Sequence, residues 1–223
     1  MPPLWKSATR NGKGGETIVQ PKKKALSIKK DKEDAIIEAA LKVMASKGFH
    51  KAKMSDITRE AGISYGLIYH YFKNKEDLLE AIVDQYFDGI FRMINHITES
   101  DEDTEKKMQH FTMLLLDNFQ QKPELINVMT SEVSRSTVIQ TSKHQLRFRK
   151  LFSAVEEIIL EGQEKGVVRS DFKARYLSYI FMGAIDTFIS AMVLDNQRIK
   201  SDKQKKRIAD GIYQIFMNGA IKR

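Results

Sequence analysis

The amino-acid sequence predicts an all-α protein of about nine helices, divided between a small N-terminal domain and a larger C-terminal helical domain. Apolar residues recur at helical spacing from Asp31 onward. No segment shows the strict alternation of a β-strand bounded by turns. Only 4 prolines and 12 glycines interrupt the 223 residues, which also favours helices.

Local signals place each helix of the N-terminal domain. Gly48 ends the first helix, and Gly62 ends the second. Ser64 and Asn74 are predicted N-caps of the third and fourth helices. The predicted bounds are about 31–47, 54–61, 65–72 and 75–96. After a polar, acidic linker at 98–104, the same reasoning predicts helices at about 105–121, 123–135, 141–166, 172–196 and 203–220.

The composition excludes several classes of protein and site. No cysteine is present, which removes disulfides, thiolate nucleophiles and cysteine-bound metals. No apolar run of about 18 residues occurs, so we expect no membrane span. The five histidines are scattered, and no phosphate-binding loop or nucleophile motif appears. We therefore expect a cytoplasmic protein that is not an enzyme and has no metal site and no cofactor.

The net charge of +8 is concentrated at the N-terminus. Residues 1–30 contain eight Lys or Arg and one acid, a net charge of +7, whereas residues 31–80 carry −1. We expect residues 1–28 to form a flexible basic arm. Such an arm either adds non-sequence-specific attraction to phosphates or is only a solvated tail.

Two short helices joined by a glycine turn form the most informative motif. Gly62 permits the tight turn, and Ile57 and Ile68 are expected to face inward. The second of these helices presents Tyr65 and Tyr69 outward, beside Gly66, Leu67 and His70. This pattern is typical of a helix-turn-helix, in which the second helix enters the major groove of DNA.

Residues 36–82 resemble the DNA-binding domain of TetR-family transcriptional regulators. The resemblance is carried by Gly48-Phe49, Glu60-Ala61-Gly62-Ile63-Ser64, Ile68-Tyr69-His70-Tyr71-Phe72 and Asn74-Lys75. It implies that residues 29–80 form the DNA-binding domain and residues 81–223 a ligand-binding and dimerisation domain. The DNA-binding positions that it implies are Lys53, Ser64, Tyr65, Gly66, Leu67, Tyr69, His70 and Lys75.

The resemblance also implies roles for these positions. Tyr65 and Leu67 would reach bases, while Gly66 would let the backbone approach the DNA. Tyr69, His70 and Lys75 would meet phosphates. Many relatives have Thr where Lys53 stands, and often Lys and Thr where Tyr65 and Leu67 stand. Because a leucine side chain cannot hydrogen-bond a base, Leu67 would meet a thymine methyl group or simply fill space.

Large apolar residues in the C-terminal part permit two interpretations. They form an ordinary core, or they line a tunnel for an apolar ligand. The segments 161–171, 182–186 and 193–197 are similar to fatty-acid-degradation regulators of the TetR family, which implies a long-chain acyl-CoA ligand. Basic residues at 143, 147, 149 and 150 either meet CoA phosphates or form a solvated face. The candidate pocket residues are Phe111, Leu115, Phe119, Met129, Phe148, Phe152, Met182, Asp186 and Ile189.

Two further apolar stripes suit a four-helix bundle between two copies of the chain. They consist of Leu177, Phe181, Ala184 and Phe188, and of Ile208, Ile212 and Ile215. The sequence thus predicts a homodimeric repressor that binds a palindromic operator of double-stranded DNA and is released by a small apolar ligand. The alternative is a ligand-independent DNA-binding protein of the same fold, controlled by a protein partner.

Overall fold

A computed structural model describes residues 21–131 and 142–220 and confirms the all-α prediction. The described residues form nine α-helices. Their bounds are α1 Pro21–Lys47, α2 Met54–Ala61, α3 Tyr65–Ile68, α4 Lys75–Thr98, α5 Thr104–Gln121, α6 Pro123–Ser131, α7 Ser142–Glu164, α8 Ala174–Leu194 and α9 Asp202–Ala220.

The structure corrects the bounds of two helices. α1 begins at Pro21 and not at Asp31, so the last eight residues of the predicted flexible arm are helical. Proline suits the first turn of a helix, and the lysines that follow it are good helix formers. α3 ends at Ile68 and not near Phe72, because three-residue turns replace the α-helical pattern there. Residues 1–20 of the predicted arm, and 132–135 of the sixth predicted helix, lie outside the described residues.

Two hydrophobic cores share α4. The smaller core packs α1, α2 and α3 against the first half of α4 through residues such as Ile36, Ile57 and Ile82. The larger core packs α5, α7, α8 and α9 against the second half of α4, around Ile94 and Phe181. Each fully buried side chain of this size contributes about 1.5–3 kcal/mol to folding. α4 is therefore held firmly by both domains.

A row of ion pairs joins α7 to the exposed side of α4. Lys143 Nζ lies 2.6 Å from Asp84 Oδ2 and 3.4 Å from Glu80 Oε1. Arg147 Nη1 lies 3.0 Å from Asp88 Oδ1 and donates to the Asp84 carbonyl oxygen at 3.0 Å. The hydrogen bond to Asp84 raises the pKa of Lys143. We call these five residues the α4–α7 ladder.

α8 has one buried and one exposed apolar side. Among residues 21–131 and 142–220, α8 is the one helix that is long and apolar enough to cross a membrane. The core helix of a soluble protein can have the same length and apolar composition. Leu177 and Phe181 are 5% and 0% exposed within their own chain, so their assignment to a dimer surface was wrong. Ile180 is 55% exposed, and Ala184 lies beside it. Because α8 is apolar on most sides, spacing alone did not identify its outer face.

The structure divides the remaining predicted dimer residues, Phe188 of the first stripe and the three isoleucines of the second, between exposed and partly buried positions. Ile215 on α9 is 79% exposed, whereas Phe188, Ile208 and Ile212 are partly buried against the larger core. These three residues therefore support the fold of their own chain and offer only part of their surface to another molecule.

A buried lysine connects α5 to α7. The side chain of Lys107 is 6% exposed, and its Nζ lies 2.8 Å from Glu161 Oε2 and 3.2 Å from the Thr98 carbonyl oxygen. Hydrogen bonds from Lys107 and Lys165 lower the pKa of Glu161. A buried ammonium that loses its carboxylate partner is strongly destabilising.

We expect Glu161→Gln to lower the free energy of unfolding by about 2 kcal/mol at neutral pH, because Lys107 stays charged and buried. The pKa of Glu161 is lowered in the folded state, so its stabilisation is present above the ordinary value of 4.5 and is lost as the pH falls through the folded-state pKa. Urea unfolding at several pH values measures both effects. Lys165→Gln is the control, since its exposed ion pair contributes about 0–1 kcal/mol. Equal stability of E161Q and the wild type at neutral pH would refute this role.

Candidate nucleic-acid interface

The turn between α2 and α3 depends on a glycine in the left-handed region. Gly62 has φ +65°, and its N–H donates to the carbonyl oxygens of Thr58 and Arg59. The N–H of Ile63 donates to the Thr58 carbonyl oxygen at 3.1 Å. These bonds satisfy the last carbonyl groups of α2 and fix the direction in which α3 leaves.

Asp56 holds the beginning of α2. Its Oδ2 accepts from the backbone N–H of Lys53 at 3.3 Å, and its Oδ1 lies 3.0 Å from Lys47 Nζ at the end of α1. The hydrogen bond with Lys47 lowers the pKa of Asp56. Lys53 occupies the N-cap position, but an ammonium cannot accept a hydrogen bond. The sequence analysis did not assign Asp56 this role, although an acid three residues after a cap is a known helix-start signal.

α3 exposes most of the residues that were predicted to contact DNA. Tyr65 and Tyr69 are 55% and 43% exposed, and Leu67 is half-buried. Ser64 occupies the N-cap position of α3, but its side chain accepts no capping hydrogen bond. Ile68 is fully buried and anchors α3 to the smaller core. The other predicted contact residues that are exposed are Lys53, Ser64, Gly66 and His70.

The two exposed tyrosines of this region contact each other. The hydroxyl oxygens of Tyr65 and Tyr69 are 2.9 Å apart. Their rings meet edge to face, with centroids 5.3 Å apart and planes at 69°. The hydrogen bond to Tyr65 raises the pKa of the Tyr69 hydroxyl. The Tyr69 hydroxyl therefore stays protonated at neutral pH.

Side chains at the start of α4 tie it to the neighbouring loops. Asn74 Oδ1 accepts from the N–H of Asp77 at 2.8 Å, which confirms the predicted cap. Lys75 Nζ donates to the carbonyl oxygens of Phe49 and His50 at 3.0 and 3.1 Å, and it lies 4.6 Å from the centre of the Phe49 ring. The lysine that the resemblance assigns to phosphate thus also connects α4 to the chain after α1.

The structure places six of the nine predicted pocket residues in or against the larger core and the other three elsewhere. Phe148 packs against Phe87 in the smaller core with ring centroids 5.0 Å apart, and Phe152 meets Tyr179 at 5.3 Å. Asp186, also a candidate pocket residue, is exposed, and partial desolvation raises the pKa of its carboxyl group. Met129 lies against the smaller core. The remaining five are buried in the larger core: Phe111, Leu115, Phe119, Met182 and Ile189.

Metal chemistry has no support in the part of the chain that the structure describes. There, no group of three or more histidine, aspartate or glutamate side chains is placed to hold a metal ion.

Comparison with known proteins identifies the fold and the family. Residues 36–82 match the family of bacterial regulatory proteins called tetR, and residues 81–219 match the C-terminal region of YsiA-like proteins. The fatty acid metabolism regulator protein of Bacillus subtilis (strain 168) is 29% identical over 175 residues, which cover 76% of this chain and 88% of that protein.

Two solved structures have the same fold. FadR, a fatty acid degradation regulator from Bacillus halodurans, is 26% identical with a TM-score of 0.76, over 86% of this chain and 97% of that one. FadR from Bacillus subtilis in complex with stearoyl-CoA is 23% identical with a TM-score of 0.73, over 83% and 97% of the two chains. This chain therefore belongs to the TetR family of DNA-binding transcriptional regulators.

Proposed function

We propose that this protein is a homodimeric repressor that binds a palindromic operator and leaves it when a long-chain fatty acyl-CoA binds. Family membership and the exposed face of α3 support DNA binding. The acyl-CoA is supported by similarity to a fatty acid metabolism regulator and by the shared fold of a FadR that holds stearoyl-CoA. The proposal that α3 binds DNA rests most directly on Gly66, which has no side chain and therefore leaves the outer surface of α3 open to the backbone of DNA.

Gly66 offers a test of the DNA interface that does not disturb folding. Apart from its two chain neighbours and the backbone of α3 itself, no atom lies within 4 Å of the position that a Cβ at Gly66 would take. A methyl group there has room in the free protein but would keep the backbone away from DNA. A Cβ at Gly62 would also meet no neighbouring atom. However, the φ of Gly62 is +65°, and this left-handed backbone conformation is strained for any residue with a side chain.

We expect Gly66→Ala to keep the stability of the wild type and to lower DNA affinity at least about tenfold, the equivalent of about 1.4 kcal/mol. The probe is the duplex that the wild type selects from a random-sequence pool, called here the selected duplex. Fluorescence anisotropy measures affinity, and thermal unfolding measures stability. Gly62→Ala is the matched control and should lose about 1–2 kcal/mol of stability. Unchanged affinity of G66A would remove α3 from the interface.

The exposed side of α8 supports the homodimer. Tyr176, Ile180 and Leu194 are 47%, 55% and 81% exposed on this helix, and Ala184 between them permits close approach. Ile215 of α9 adds a further exposed apolar side chain. Several exposed apolar side chains on one helix are typical of an interaction site. A second copy is its proposed occupant, because a palindromic operator needs two recognition helices about one DNA turn apart.

The α4–α7 ladder is the proposed route between effector and operator. α7 supplies Leu151, Val155 and Ile159 to the larger core, where an apolar effector would be accommodated. A shift of α7 would move the ion-pair partners of Asp84, and α4 would carry the shift to the smaller core. An effector releases DNA only if it binds the DNA-incompetent arrangement more tightly.

We expect Arg147→Glu to reduce the factor by which stearoyl-CoA weakens binding to the selected duplex, because a carboxylate there would repel Asp84 and Asp88. Arg92→Glu is the control, since it changes the net charge equally at an exposed position outside both the ladder and the basic cluster of α7. Anisotropy titrations with and without stearoyl-CoA give the factor for each protein. If R147E keeps the same factor as R92E and the wild type, the ladder is not the route.

A direct test addresses the effector itself. We expect stearoyl-CoA to raise the melting temperature and to release the selected duplex, whereas CoA without an acyl chain should do neither. A ligand at one hundred times its Kd stabilises the folded state by about 2.7 kcal/mol. Differential scanning fluorimetry measures the shift. No shift and no release would favour the alternative, in which a protein partner controls a ligand-independent DNA-binding protein.

A further inference from the structure

Asp186 lies on a side of α8 that borders both the larger core and α7. Met182 and Ile189, about one helical turn before and after it, are buried in the larger core. Tyr179, two turns before Asp186 on the same side, meets Phe152 of α7 edge to face with ring centroids 5.3 Å apart. The carboxylate therefore stands beside apolar side chains of two helices.

Tyr86 places α4 at the same position. It packs against both hydrophobic cores, and its ring meets Phe87 with centroids 5.5 Å apart. Burial and the negative charge of Asp186 raise the pKa of the Tyr86 hydroxyl. Since this charge acts on α4, Asp186 is directed into the angle between α4, α7 and α8.

The Asp186 carboxylate has no partner that neutralises it. Within the two described ranges, no hydrogen bond and no ion pair reaches it. Desolvation raises its pKa, and no cation or donor offsets this cost. The side chain is nevertheless exposed to solvent. An unpaired carboxylate that meets water on one side and apolar helices on the other marks the mouth of a recess between these helices.

The end group of an acyl chain determines whether it can approach such a carboxylate. A free fatty acid ends in a second carboxylate, and like charges repel strongly where water is partly excluded. An acyl thioester has an uncharged end. The pantetheine arm behind it carries amide N–H groups, which can donate to a carboxylate. The phosphates of CoA lie at the far end of that arm.

We propose that Asp186 is a specificity-determining residue of the effector site, which excludes free fatty acids by charge repulsion and admits their CoA thioesters. This inference rests on the proposed function and deepens it, because it assigns the choice between the two end groups to one side chain. Met182 and Ile189 would contact the hydrocarbon chain of either compound and cannot tell the two apart.

The test compares two ligands that share one acyl chain. They are stearate and the N-acetylcysteamine thioester of stearic acid, which has an uncharged end and no phosphates. Isothermal titration calorimetry on the protein without DNA measures both Kd values. We expect the wild type to bind the thioester more tightly than stearate. Asp186→Asn should bind stearate at least about tenfold more tightly than the wild type does and should bind the thioester about equally well.

Two further variants control for charge and position. Asp186→Glu keeps the negative charge and should keep the weak binding of stearate. Asp195→Asn removes the same charge at the exposed end of α8 and should leave both Kd values unchanged. Thermal unfolding verifies that each variant is folded.

Two results would overturn the inference while leaving the proposed function intact. One is a Kd of D186N for stearate equal to that of the wild type. The other is an equal gain in D195N, which would show an effect of net charge alone. Failure of the proposed function looks different, because the wild type would then bind neither the thioester nor stearoyl-CoA, and the inference would fail with it.

Discussion

The rest of the structure depends on α4 belonging to both hydrophobic cores. Ile82 and Val83 are buried with α1, α2 and α3, while Ile90 and Ile94 are buried with the helices of the larger domain. Moving α4 relative to either core would expose large side chains to water, at about 25 cal/mol for each Å² of apolar surface. The helix therefore moves with its neighbours, and its displacement reaches α3 through packing and not through bending.

The contacts around α4 differ in how easily they rearrange. Its apolar faces are close-packed and tolerate few arrangements. The α4–α7 ladder consists of partly exposed ion pairs, in which the side chains of Lys143 and Asp88 are 48% and 57% exposed. Exposed pairs of this type contribute little individually and exchange partners at little cost. The boundary between α4 and α7 is thus the side of α4 at which contacts can rearrange most easily.

The helices and their local caps were predictable because their signals lie within a few residues. Gly62 and Asn74 illustrate this, since the turn and the cap depend on neighbours in the chain. Contacts between distant segments were not predictable. Lys75 binds carbonyl groups 25 and 26 residues away, and no periodic pattern encodes this contact. The inner face of α8 and the separation of the predicted pocket residues depend in the same way on tertiary packing.

The ammonium group of Lys75 binds two backbone carbonyl oxygens and is also the group that the resemblance assigns to a DNA phosphate. That group has three hydrogens, and the carbonyl oxygens of Phe49 and His50 take two of them. One hydrogen remains for an anion that approaches the start of α4. Acetylation of this amine would leave a neutral amide with one N–H. The modification would remove the positive charge and at least one of the two hydrogen bonds to the chain after α1 in the same step, so a single covalent change would alter both the contacts and the charge of this surface.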